Sequence, residues 1–170
     1  MHNKSYKIQA AYIDFISQPD LEFFTTITLK RVLKNEARGF TQLRQEDVEK
    51  TAHLLRLWIE DALLGKRRRK GSRLTFICSF ERGGWDGNPH LHIATSNPGG
   101  LSGEEYERKI RAVAYKLDWV HTDMDIRPIT RDETGNRQGI AIYCLKQGVD
   151  ALLLNATHIP RCDQGSVALN

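Results

Sequence analysis

His90 and His92 stand one residue apart in GNPHLHIAT (87–95), and Glu81 closes the segment RLTFICSFE (73–81) just before them. In a strand, residues i and i+2 share a face about 6.6 Å apart along the backbone, so the two imidazoles project together. GGWDGN (83–88) is turn chemistry, and its Asp86-Gly87 marks a hairpin. A turn centred on Asp86-Gly87 sets Glu81 opposite His92. A loop over 83–88 sets it opposite His90. Both registers have the same parity, so Glu81 joins the histidines on one side of the sheet in either case. One carboxylate and two imidazoles make a mixed O,N,N set with open positions for water and a phosphate oxygen. Such a set suits Mn²⁺ or Mg²⁺ held for Lewis-acid work, although zinc or cobalt also binds it. The alternative is a solvated sheet face with Glu81 as a strand-end acid.

AIYCLKQ (141–147) places Lys146 three positions after Tyr143, and such residues are neighbours on a helix. A tyrosine hydroxyl, with a pKa of about 10, is a poor nucleophile. A metal that orients and polarises a phosphodiester gives it something to attack. A nearby ammonium stabilises the phosphate charge. By itself Tyr-x-x-Lys reads equally as a half-buried tyrosine beside a surface lysine.

These groups need elements to hold them. EFFTTITLK (22–30), RLTFICSFE (73–81), PHLHIAT (89–95) and DMDIRPIT (123–130) predict strands, with Pro128 arguing for an edge or a strand end. Val48, Ala52, Leu55, Ile59 and Ala62 or Leu63 recur at helical spacing over 43–64, and Gly65 follows as a stop. Ser102 and Glu105 form a capping box before Tyr106, Ile110, Val113, Ala114 and Leu117. Residues 139–147 predict a short helix, and the tail after 148 matches no element. The order strand, helix, strand, strand, helix, strand, helix predicts an α+β fold. It is a ferredoxin-like antiparallel sheet, about five strands, with flanking helices.

The chain has 170 residues, 40% hydrophobic and 27% charged, which predicts a single domain spanning 1–170. No apolar run approaches the roughly 20 residues of a spanning helix, and the N-terminus lacks the apolar core of a signal peptide. No membrane partner is expected, and the default location is cytoplasmic. Cys78, Cys144 and Cys162 are widely spaced and read as reduced thiols. The net charge of +4 and pI near 9.0 are mildly basic. GKRRRK (65–70) suits phosphate contacts, or equally a solvated helix end that favours cations.

FFTTITLK (23–30), HLH (90–92) and YCLK (143–146) follow one another in this order. In that order and context the chain resembles the HUH endonucleases, specifically the replication-initiator (Rep) branch of rolling-circle DNA replication. It is similar to the nuclease domain of circular single-stranded DNA virus Rep proteins. The resemblance covers roughly 22–147. Gly139 and Ile140, one helical turn before Tyr143, point to the single-tyrosine kind. What it implies is an HUH nuclease fold and a metal-dependent, site-specific single-strand endonuclease and strand transferase. Glu81, His90 and His92 would bind Mn²⁺ or Mg²⁺, Tyr143 would attack to leave a 5′-phosphotyrosyl link, and Lys146 would assist at the phosphate.

The partner implied is single-stranded or hairpin origin DNA, in the cytoplasm of a host cell or on its nucleoid. Lys30, Arg31, Arg67, Arg68 and Arg69 are candidates for backbone contacts. Trp85 is either a stacking platform for an unpaired base or a partly covered loop aromatic. The chain carries no G-x-x-x-x-G-K-[ST] motif, so a separate helicase is expected. Two rivals remain: a non-cleaving nucleic-acid-binding module on the same fold, and an unrelated metallohydrolase that uses the histidine pair.

Overall fold

The run Phe23-Phe24-Thr25-Thr26-Ile27-Thr28-Leu29 sends odd and even residues to opposite sides of a strand. The computed structural model describes residues 2–17, 20–35, 39–83, 87–129 and 136–160. In it this run is β1 (Phe23–Leu29). It belongs to a four-stranded antiparallel sheet with β4 (Phe76–Glu81), β5 (His90–Thr95) and β6 (Val120–Pro128), in the order β4-β5-β1-β6. β1 and β4 each pair antiparallel with β5, so they run parallel to one another with β5 between them. β6 pairs with β1 at the sheet's edge, where Pro128 ends the strand.

Helices cover both faces. On one, Phe23, Ile27, Phe76, Leu91 and Ile93 pack against α2 (Gln45–Leu64) and α4 (Gly103–Ala114) in the larger core. The helical faces are those the spacing predicts. Val48, Ala52, Leu55, Ile59 and Leu63 are buried from α2, and Tyr106, Ile110, Val113 and Ala114 from α4. Gly65 ends α2 with φ +51°, and the Ser102 hydroxyl accepts the Glu105 N–H at 3.2 Å to start α4. On the other face Ile77 and Ala94 pack against α1 (His2–Ser17) and α5 (Asn136–Cys144), through Ile16, Ile140, Ala141 and Cys144. Cys78 and Cys144 are buried free thiols, and Cys162 lies outside the described residues.

Four features differ from the sequence expectation. The sheet has four strands among the described residues, not about five. The additional pair, β2 (Val32–Asn35) and β3 (Gly39–Gln42), forms a separate hairpin. Its residues are mostly exposed, so it has no apolar face to bury in the main sheet. The helix carrying Tyr143 is shifted toward the N-terminus and ends at Cys144, which leaves Lys146 in the turn beyond it. α1 occupies a stretch in which no element was expected. The residues after 148 form a one-turn 3₁₀ helix (Val149–Ala151) and bridge Leu152 to Ser79 and His158 to Phe76, which shields the outer edge of β4. Among the described residues no helix is long and apolar enough to cross a membrane.

Candidate active site

Register builds the site. Glu81 faces His90 across β4 and β5, as the longer of the two expected loops requires, and Ser79 faces His92. On the other side of β5, Thr28 faces His90 and Thr26 faces His92. Glu81, His90, His92, Thr26 and Thr28 therefore share the sheet face opposite the larger core. Toward one end, α1 and α5 cover that face. Glu81 and His90 lie toward the other end and are half-buried, while His92, one step along β5 toward the covered end, is 2% exposed.

His92 is held on every side. Its Nε2 lies 2.7 Å from Glu81 Oε2, a diagonal contact across the strand pair. Its Nδ1 lies 3.1 Å from Thr26 Oγ1. Its ring stacks with Phe24 at 5.9 Å and with His90 at 6.1 Å between centroids. Burial lowers its pKa, and Glu81 only partly offsets that. The ring is therefore neutral near pH 7, with one nitrogen carrying the proton and the other a lone pair. The ionised Glu81 can only accept, so it takes the Nε2–H, and the Thr26 hydroxyl donates to Nδ1.

Ile140, Ala141 and Cys144 anchor α5, which leaves Tyr143 at the margin with 42% of its surface exposed. The Tyr143 ring meets His92 edge-on at 4.9 Å and Phe24 edge-on at 5.6 Å. Lys146 keeps its expected neighbourhood although it lies past the helix end. Its backbone N–H donates to the Tyr143 carbonyl at 3.2 Å, and its ammonium sits 4.1 Å from the Tyr143 ring centroid. The same ammonium donates to Glu81 Oε2 at 2.7 Å. Burial works to raise the Glu81 pKa, but the hydrogen bonds from Lys146 and His92 outweigh it and hold the carboxyl below its ordinary value. Burial works to lower the Lys146 pKa, and the contacts with Glu81 and Tyr143 reverse it, so Lys146 stays a cation.

No protein-family model, curated protein or solved structure matches this chain. What the site can do therefore rests on its own side chains. Among the described residues no three His, Cys, Asp or Glu side chains converge as a ready group around one ion. Two of the three expected donors do touch. Glu81 Oε2 and His92 Nε2 are spaced much as neighbours in one coordination shell, where bonds of about 2.1 Å at right angles set donors about 3.0 Å apart. His90 lies directly across from Glu81. The donor chemistry fits a divalent cation; in the structure Lys146 takes up the carboxylate instead.

The other expected contacts divide. Lys30 and Arg31 follow β1 beside Pro89, at the same end of the sheet as His90. Lys30 donates to the Asp118 carbonyl at 2.7 Å, and Arg31 donates to the Gly87 carbonyl. Arg67, Arg68 and Arg69 form a short helix, α3 (Lys66–Arg69), ahead of β4. β4 puts roughly 17 Å between its first residue and Glu81, so these three arginines are not brought to the site. Arg68 is structural: it pairs at 3.4 Å with Glu60, which is 2% exposed, and at 3.3 Å with Asp61. Arg67 donates to the Pro98 carbonyl at 2.8 Å, and Arg69 is exposed. Trp85 lies outside the described residues. Thr26 and Phe24 went unnoticed as site residues. Their signal was the period-2 pattern of β1, which needs the β1–β5 pairing to become readable.

Proposed function

We propose that the chain is a site-specific single-strand DNA endonuclease and strand transferase of the HUH replication-initiator kind. The observation that carries the reading is the packing of Tyr143 against His92, with Lys146 bridging the tyrosine to Glu81. A strand-order pattern of the ferredoxin-like, split βαβ type supports it, since the expected nuclease fold shares it.

Glu81, His90 and His92 would hold Mn²⁺ or Mg²⁺, which supplies Lewis-acid polarisation of the scissile phosphate. Tyr143 gives its proton to water and attacks phosphorus. The new bond joins Tyr143 Oη to the 5′-phosphate, the bond to the 3′ oxygen breaks, and that oxygen takes a proton to leave a free 3′-OH. Lys146 offsets the negative charge that builds at Tyr143 and the phosphate. Thr26 orients His92. Attack by a 3′-OH on the phosphotyrosyl link reverses the reaction and rejoins strands.

The test is incubation with labelled single-stranded hairpin oligonucleotides and Mn²⁺, followed by denaturing gel analysis. A covalent adduct is expected with the wild type and none with Tyr143→Phe. An adduct with Tyr143→Phe refutes the assignment. A second reading, a non-cleaving nucleic-acid-binding module, has one observation in its favour. Glu81 is already satisfied by Lys146 and His92. That reading expects binding without an adduct, unaffected by chelator.

A further inference from the structure

The end of the sheet that carries Glu81 and His90 has a second feature. A cavity of about 500 Å³ opens there on the α2 side, lined by Arg31, Arg44 and Arg82 together with Gln42, Phe80 and Pro89. Phe80 and Arg82 flank Glu81 in the chain, and Pro89 precedes His90. The cavity therefore opens at the same end of the sheet as the candidate active site, on the opposite face. No described residue lining it is acidic. Arg44 and Arg82 are exposed and carry no ion pair among the described residues.

The β2–β3 hairpin extends this surface. Val32 faces Gln42 at the cavity, and Lys34 faces Phe40 one step further out along the same face. Phe40 is 76% exposed, the most exposed of the large apolar side chains among the described residues. An aromatic ring left in water beside an ammonium adds nothing to the core. It does offer a π-face to an unpaired base and a charge to its phosphate. Guanidinium groups match phosphate oxygens in the adjoining cavity.

We infer that this cavity and the outer face of the β2–β3 hairpin bind single-stranded nucleic acid where it passes round the end of the sheet that carries Glu81 and His90, with Phe40 stacking a base and Arg44 and Arg82 holding phosphates. The inference rests on the single-strand reading above. A duplex does not fit the same surface, because its base faces are already stacked.

The test is fluorescence anisotropy of a fluorescein-labelled oligothymidine strand across a salt titration, with the full chain. Phe40→Ala is expected to weaken binding roughly 5- to 100-fold without changing the salt slope. Arg44→Ala and Arg82→Ala should each lower the slope of log K against log salt by about 0.7. Arg108→Ala, which removes the same charge from exposed α4, should leave both unchanged. All four side chains are exposed, and a melting curve for each variant checks the fold. Wild-type binding by Phe40→Ala, Arg44→Ala and Arg82→Ala overturns the inference. So does competition by free thymidine monophosphate at the strand's own concentration, which would make the cavity a mononucleotide site. An adduct in the gel assay with no effect of these variants sinks the surface alone. Weakened variants with no adduct sink the nuclease reading and leave the surface standing.

Discussion

Glu81 Oε2 meets both His92 Nε2 and Lys146 Nζ at 2.7 Å. A divalent cation held as proposed would compete with the lysine for one oxygen. Lys146→Ala should bind Mn²⁺ several-fold more tightly in calorimetry, because a cation next to the ligands has been removed. On the proposed mechanism the same variant should cleave more slowly, because the charge beside Tyr143 is gone. Thr26→Val keeps the β-branched shape of a strand residue and removes the hydroxyl at 3.1 Å from His92 Nδ1. It should weaken Mn²⁺ binding about 10-fold with an unchanged melting temperature. Equal affinity would show that Thr26 does not position the imidazole. These contacts were only half-readable in advance. Residue types and spacing pointed to Glu81, His90, His92 and Tyr143. That Lys146 serves the carboxylate as well as the tyrosine depends on where α5 sits.

The loop from β4 to β5 sets the distance between Glu81 and His90, and Gly83 shapes it. Gly83 has φ +71°, and a Cβ there would stand 2.5 Å from the Gly87 carbonyl oxygen and 2.7 Å from that of Asn88. Both are backbone atoms, so relief requires moving the loop. Gly83→Ala should cost about 3 kcal/mol and lower the melting temperature by several degrees. It should also weaken Mn²⁺ binding at the proposed site, since it shifts the strand of Glu81 against that of His90 and His92. Gly65, with φ +51° at the end of α2, is a control for conformation alone, because a Cβ there meets nothing within 4 Å. Gly65→Ala should cost about 1 kcal/mol, or about 2–4 °C, with metal binding intact. If the two variants melt alike, the contacts at Gly83 do not hold the hairpin. The glycine-rich turn itself was plain from GGWDGN; which of two registers it enforced was not, because both give Glu81 the same face.

Two packed faces account for the thiols. Cys78 is fully buried in the larger core, and burial raises its pKa strongly. Cys144 is buried in the smaller core, and burial pushes its pKa up to about 11. At pH 8 the thiolate of Cys144 is then a minor species, about one part in a thousand. Iodoacetamide should leave Cys78 and Cys144 of the native protein unlabelled and modify both in urea, as read by peptide mass spectrometry. Native labelling at either would show that its core opens. The sequence by itself determined the four sheet strands, the amphipathic faces of α2 and α4, and the alignment of Glu81, His90 and His92 on one side. Each follows from a local period of 2 or 3.6 residues, which the chain carries wherever it packs. Only the tertiary structure decided the rest. It separated the arginines of α3 from the site, set the β2–β3 hairpin apart from the sheet, and brought Tyr143 against His92 from an α5 anchored by Ile140, Ala141 and Cys144. These depend on contacts between segments far apart in the chain, which packing of the two cores selects and no local period encodes.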